Sequence, residues 1–152
     1  VSNPTALLDL WAEEMRDRRV TQVRAFCLVR DSRAHPQPLS GILTEAKIDH
    51  AVTGPAGAAR LAPFITSIPV TDIWITETVV LADAVEAVGA EIVDEGHNIL
   101  LKQAADDTPL VFHTTVQKVS TVNRFRLYFD LRQDPRRGRE QADRLREEVI
   151  GF

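Results

Sequence analysis

At 152 residues, 44% hydrophobic and 26% charged, the chain is long enough to bury about two thirds of its unfolded surface without disulfide or metal staples. Such a composition excludes wholesale disorder, and no run reaches the roughly 18 apolar residues of a membrane span. Net charge is −4, with eleven acids against three bases in residues 40–115 and nine bases against six acids in residues 116–152. The acidic centre argues against broad nucleic-acid binding, while the basic end suits an acidic partner.

Asn3 caps and Pro4 opens a first helix on which Leu7, Leu8, Trp11 and Met15 recur at helical spacing as far as about Arg18. Val20–Val29 reads as a strand with Val23, Ala25, Cys27 and Val29 on one face. Pro36 and Pro38 start a second helix carrying Leu39, Ile42, Leu43 and Ala46. A strand over 48–53 runs into Gly54-Pro55 and a small-residue helix over 56–62; Pro63 and Pro69 bracket a loop. Val70–Thr76 alternates as a strand, and a helix over 77–88 ends at Gly89.

Residues 90–94 and 98–102 are expected to form a pair of strands around Glu95-Gly96-His97, with a further short strand over 110–113. Residues 122–132 fit two periods: Phe125, Leu127, Phe129 and Leu131 alternate as in a strand, and Val122, Phe125, Tyr128 and Arg132 fit a helix capped by Ser120. A last helix runs from Arg137 or Gly138 to Val149 and stops at Gly151. With no repeat or flexible linker, residues 1–152 read as one α/β (α+β) domain, a mixed central sheet with flanking helices and a helical C-terminus.

The chemistry-bearing residue types are sparse. His35, His50, His97 and His113 show no metal-ligand spacing. Cys27, the only cysteine, lies mid-strand as an inert thiol and offers neither a disulfide nor a zinc cluster, which points to a cytoplasmic protein. No metal and no cofactor is expected. One stretch stands out: Thr53-Gly54-Pro55-Ala56-Gly57, followed by Asp72-Ile73-Trp74 on the next strand. It resembles a worn nucleotidyltransferase core, in which a glycine turn cradles phosphates and Asp-x-Asp binds magnesium. Two metal ions about 3.5–4 Å apart need convergent carboxylates, and strand residues i and i+2 share a face. Here Trp74 takes the second acid position, and Pro55 removes a backbone donor from the turn. Thr53, Gly54 and Asp72 therefore form a candidate degenerate nucleotide site, and no catalytic residue is expected.

The tail carries a second likeness. Phe125-Arg126-Leu127-Tyr128-Phe129-Asp130-Leu131, then Arg137-Gly138-Arg139-Glu140-Gln141-Ala142, resembles the end of bacterial type IV toxin–antitoxin antitoxins of the abortive-infection AbiEi kind. The Leu7-Leu8-Asp9-Leu10-Trp11 opening, the Val52-Thr53-Gly54 turn and the Gly96-His97-Asn98-Ile99-Leu100-Leu101 strand follow the same order. Phe129 and Gln141 depart from the commoner leucine and alanine. The resemblance favours the helix for 122–132. It implies a non-enzymatic antitoxin domain that neutralises a nucleotidyltransferase-type toxin, with DNA binding and transcriptional autoregulation left to an N-terminal winged helix that this sequence does not include.

Arg136, Arg137 and Arg139 are then the candidate partner-binding residues, and a homodimer is compatible with the reading. Asp130, a carboxylate on an apolar segment, needs a partner if buried, and Arg136, Arg137 or Arg139 is expected to supply it. Two alternatives come from other classes. One is a nucleotide-binding or nucleotidyltransferase enzyme using Asp72 with Asp94 or Glu95. The other is a structural dimerisation domain of a transcriptional regulator.

Overall fold

The computed structural model describes residues 4, 6–10, 19–28, 35–61, 70–116, 118–134 and 138–151. Seven strands form one mixed sheet: β1 (Val20–Phe26), β2 (His50–Thr53), β3 (Thr71–Ile75), β4 (Glu91–Ile92), β5 (Ile99–Ala104), β6 (Thr114–Val116) and β7 (Val119–Thr121). Their spatial order is β4-β1-β5-β3-β2-β7-β6. β3 lies parallel to β5 and antiparallel to β2, and all five of its residues are buried, as befits a central strand covered on both sides.

Helices flank the sheet. Residues 6–10 belong to α1; α2 is Pro36–Glu45, α3 Gly54–Leu61, α4 Leu81–Ala87, α5 Arg124–Arg132 and α6 Gly138–Leu145. Strand alternation sorts two cores. Val52, Ile73, Ile75, Ile99, Leu101 and Ala25 pack with Leu39 and Leu43 of α2 and with Leu81, Ala84 and Val85 of α4. The opposite core joins Ala51 and Trp74 to Leu127, Tyr128 and Leu131 of α5, Ala142 and Leu145 of α6, and Leu8 of α1. The fold is thus mixed α/β with helices on both faces. Among the described residues no helix is long and apolar enough to cross a membrane.

Several local expectations hold. Prolines open α2, and Val23, Ala25 and Cys27 face one core. Gly89, at φ +70°, follows the end of α4 with its N–H on Glu86 O and that of Ala90 on Val85 O, a Schellman closure. Residues 124–132 are helical. The cap, however, is Asn123 in place of Ser120: its side chain accepts from the N–H groups of Phe125 and Arg126. α4 begins at Leu81 and not at Glu77.

Two strand expectations are corrected. β4 and β5 do not pair with each other, because β1 lies between them and pairs antiparallel with both. Residues 108–110 form a 3-10 turn and no strand follows over 110–113, because the N–H groups of Val111 and His113 bond back to Thr108 O and Leu110 O and Phe112 turns at φ +58°. The chain then makes the β6–β7 hairpin, which turns through Lys118 at φ +65°. After α6 the backbone continues as a π-helical turn, Arg146–Ile150, and stops at Gly151. Trp11, Met15, Arg18, Val29, Pro63 and Pro69 lie outside the described residues.

Candidate functional site

The face that carries α5 holds a buried polar layer. Register places Thr53 opposite Asp72 and Ala51 opposite Trp74; on the other side Leu100 and Lys102 of β5 align with Asp72 and Trp74. A strand's period of two puts all of these on one face. Over them α5 sets Arg126 and Asp130 one turn apart, so both reach the sheet.

Asp130 is the hub. Its Oδ2 accepts from Thr53 Oγ1 at 2.6 Å and from Trp74 Nε1 at 2.7 Å, and its Oδ1 accepts from Arg126 Nε at 3.1 Å. Asp130, Arg126 and Trp74 are each no more than 5% exposed, so these bonds form in a medium of low dielectric. Charge-assisted bonds are strong there, and a lost partner is costly. The Arg126 guanidinium also stacks 4.7 Å from the Trp74 ring centre and 4.9 Å from that of Phe129. Lys102 Nζ sits 5.6 Å from the Trp74 ring and 3.9 Å from Asp72 Oδ2.

Thr53, Gly54 and Asp72 do come together. Gly54 turns at φ +64°, and a Cβ added there would lie 2.9 Å from Asp72 Oδ2, so the carboxylate rests directly on the glycine backbone. The group is buried throughout, with Thr53 committed to Asp130 and Asp72 facing Lys102. These residues do not fit a magnesium cradle. Trp74 fills the second acid position, and a lysine stands against the acid that is present. Among the described residues no three His, Cys, Asp or Glu side chains are grouped to hold a metal ion, so Asp72, Asp94 and Glu95 form no such set. Asp94 and Glu95 are exposed in the turn after β4.

Among the described residues the cation beside Asp130 is Arg126, four residues earlier in the same helix. Arg139 is exposed on α6, and Arg136 and Arg137 lie outside the described residues. A helical reading with i,i+4 spacing makes Arg126–Asp130 legible. The convergence of Thr53 and Trp74 on the same carboxylate needs the tertiary fold.

His97 lines a pocket beside this layer together with Asp72, Lys102 and Asp130, whereas His35, His50, His113 and Cys27 stand apart from it. His50 is buried on the opposite face, with Nδ1 2.9 Å from Ile48 O and Nε2 2.7 Å from Ser40 Oγ. Burial pushes its pKa below the usual 6.5, only partly opposed by the Ile48 carbonyl. His113 Nδ1 lies 3.1 Å from Ser120 Oγ, and His35 is exposed. Cys27 is buried at the end of β1, where Asn98 clamps its backbone: Oδ1 accepts from Cys27 N and Nδ2 donates to Cys27 O.

No protein-family model matches the chain, and neither does any curated protein or solved structure.

Proposed function

We propose that this chain is a non-enzymatic antitoxin domain of a bacterial toxin–antitoxin or abortive-infection module, acting in the cytoplasm on a nucleotidyltransferase-type toxin. The observation that carries the reading is the substitution of structure for chemistry on the α5 face. A tryptophan stands where a second metal-binding acid would be needed, and its indole N–H is tied to Asp130. Asp72 in turn faces Lys102. Carboxylates held this way serve packing and not metal capture. The antitoxin identity itself rests on the order and composition of the tail and of the segments before it.

In this reading the partner surface is the basic end around Arg136, Arg137 and Arg139, which suits an acidic face of a toxin. DNA contact belongs to a winged helix outside this sequence. The test is co-expression with the product of an adjacent nucleotidyltransferase-like gene. Growth rescue by this chain, lost when the three arginines are changed together to alanine, is the expected result. Failure of rescue with the wild-type chain, despite soluble expression, rejects the antitoxin reading.

The proximity of Thr53, Gly54 and Asp72 favours one rival, a nucleotide-binding enzyme. Calorimetry with magnesium and ATP separates the two. The antitoxin reading expects no heat that depends on Asp72, whereas binding abolished in Asp72→Ala would replace it with the enzyme reading.

A further inference from the structure

Beside the buried layer the sheet face opens into a cleft of about 330 Å³, lined by Lys102, Arg126, Gln22 and Gln133 among polar residues and by Val20, Ala104 and Pro109 among apolar ones. That volume falls at the small end of ligand pockets. Arg126 is 5% exposed, and among the described residues only the N–H on Nε of its five is hydrogen-bonded; Nη1 is buried without a hydrogen-bond acceptor. Lys102 lines the same cleft with three donors, and its nearest carboxylate oxygen is 3.9 Å away, beyond hydrogen-bond reach. Buried donors without acceptors are unfavourable, and a guanidinium costs more than most when left so.

We infer that this cleft binds a small monocarboxylate with an apolar body. Two constraints set that chemistry. Asp130 occupies Nε, so the edge of Arg126 left over is the Nη1–Nη2 edge, whose paired donors match the two oxygens of a carboxylate. Charge sets the second: Lys102 already faces Asp72, and Arg126 already faces Asp130. Two cations thus meet two carboxylates, which leaves surplus donors but no surplus positive charge and weighs against the two negative charges of a phosphate monoester. Asp106 also lines the cleft and accepts from Thr108 N, adding to the bias against a dianion. Val20, Ala104 and Pro109 supply the apolar wall for the ligand's body. This site is independent of the antitoxin reading.

Benzoate and butyrate are the probes, with benzamide as the uncharged shape match of benzoate and inorganic phosphate as the multivalent anion. Ligand-observed NMR and calorimetry on the whole chain are expected to show saturable binding of a carboxylate below about 10 mM, with benzamide and phosphate each at least about tenfold weaker. Lys102→Gln keeps the Arg126–Asp130–Trp74 layer and is expected to weaken carboxylate binding about tenfold with an unchanged circular-dichroism spectrum. Arg126→Lys, which removes the paired donors but keeps the charge, is expected to abolish the preference for benzoate over benzamide. If that variant fails to fold, Lys102→Gln decides alone. No saturable binding of either carboxylate, equal binding of benzamide, tighter binding of phosphate, or an affinity untouched by Lys102→Gln each overturns the inference.

Discussion

On one face of the sheet Val52, Ile73, Ile75, Ile99 and Leu101 meet Leu39, Leu43 and Val85. On the other, Thr53, Asp72, Trp74 and Lys102 lie beneath Arg126 and Asp130. Both faces are buried, yet the first is held by area removed from water and the second adds a charged network whose parts need one another. β3 supplies residues to both by simple alternation, Ile73 to the dry face and Asp72 and Trp74 to the polar one. Apolar packing tolerates change in proportion to the volume lost. A buried ionic network does not, because a missing member strands its partners.

The largest expected effect follows from that asymmetry. Asp130→Ala leaves the Arg126 charge, the Thr53 hydroxyl and the Trp74 indole without their shared acceptor, and should lower the unfolding free energy by about 3–5 kcal/mol in a urea titration. Replacing the whole set (Thr53→Val, Trp74→Phe, Arg126→Met and Asp130→Leu together) should recover most of the loss, since the buried Arg126–Asp130 charge pair is then gone with its hydrogen-bonding partners. A quadruple variant as unstable as Asp130→Ala would show that shape, and not mutual neutralisation, sets the requirement. On the dry face Ile73→Ala should cost about 2–4 kcal/mol, as a cavity and lost transfer energy alone. Unlike Asp130→Ala, it should leave near-ultraviolet signals from Trp74 almost unchanged.

The polar layer was only partly readable in the residues. The alternation of Asp72 and Trp74 against Ile73 and Ile75 is plain in the sequence, as is the glycine turn at Gly54, where α3 begins. The helix at α5 was ambiguous for a physical reason. Arg126 to Leu131 are all buried, so no solvent face marks a 3.6-residue period, and the chance alternation of Phe125, Leu127, Phe129 and Leu131 competes with it. Strand order was beyond local signals too. The short span between β4 and β5 reads as a hairpin turn, and only the long-range pairing of β1 with both strands separates them. The i,i+4 spacing of Arg126 and Asp130 becomes visible only once the segment is taken as a helix, so the alternating reading hides that pair.

A smaller effect probes how α5 is set over the sheet. Asn123 accepts from two backbone N–H groups at the start of that helix, so Asn123→Ala should cost about 1 kcal/mol. Because the helix start lies only one turn from Arg126, the same variant should raise amide exchange across residues 124–127. Unaltered exchange with lowered stability would place the effect outside the cap.

The smallest effect at neutral pH belongs to His50, on the dry face, where the register pairs it with Ile75. Its neighbours fix its tautomer: Nδ1–H donates to Ile48 O, so Nε2 is left to accept the Ser40 hydroxyl, and Ser40 Oγ in turn accepts from Ser120 N. Protonation would put a second donor against a hydroxyl that now donates, and would place a charge where burial disfavours it. Of the charged neighbours, His113 adds to this and Asp49 opposes it, both less than burial does. The folded-state pKa therefore lies below the unfolded 6.5. The contribution of His50 to stability is complete above pH 6.5 and is lost as the pH falls through the depressed value, because the unfolded chain then binds the extra proton. One proton limits the slope to about 1.4 kcal/mol per pH unit. His50→Gln should flatten the stability profile below pH 6.5 relative to wild type and leave it parallel above. Equal slopes in the two proteins on acidification would mean that His50 titrates alike folded and unfolded. In that case the dry face would admit a charge as readily as the face that carries Arg126.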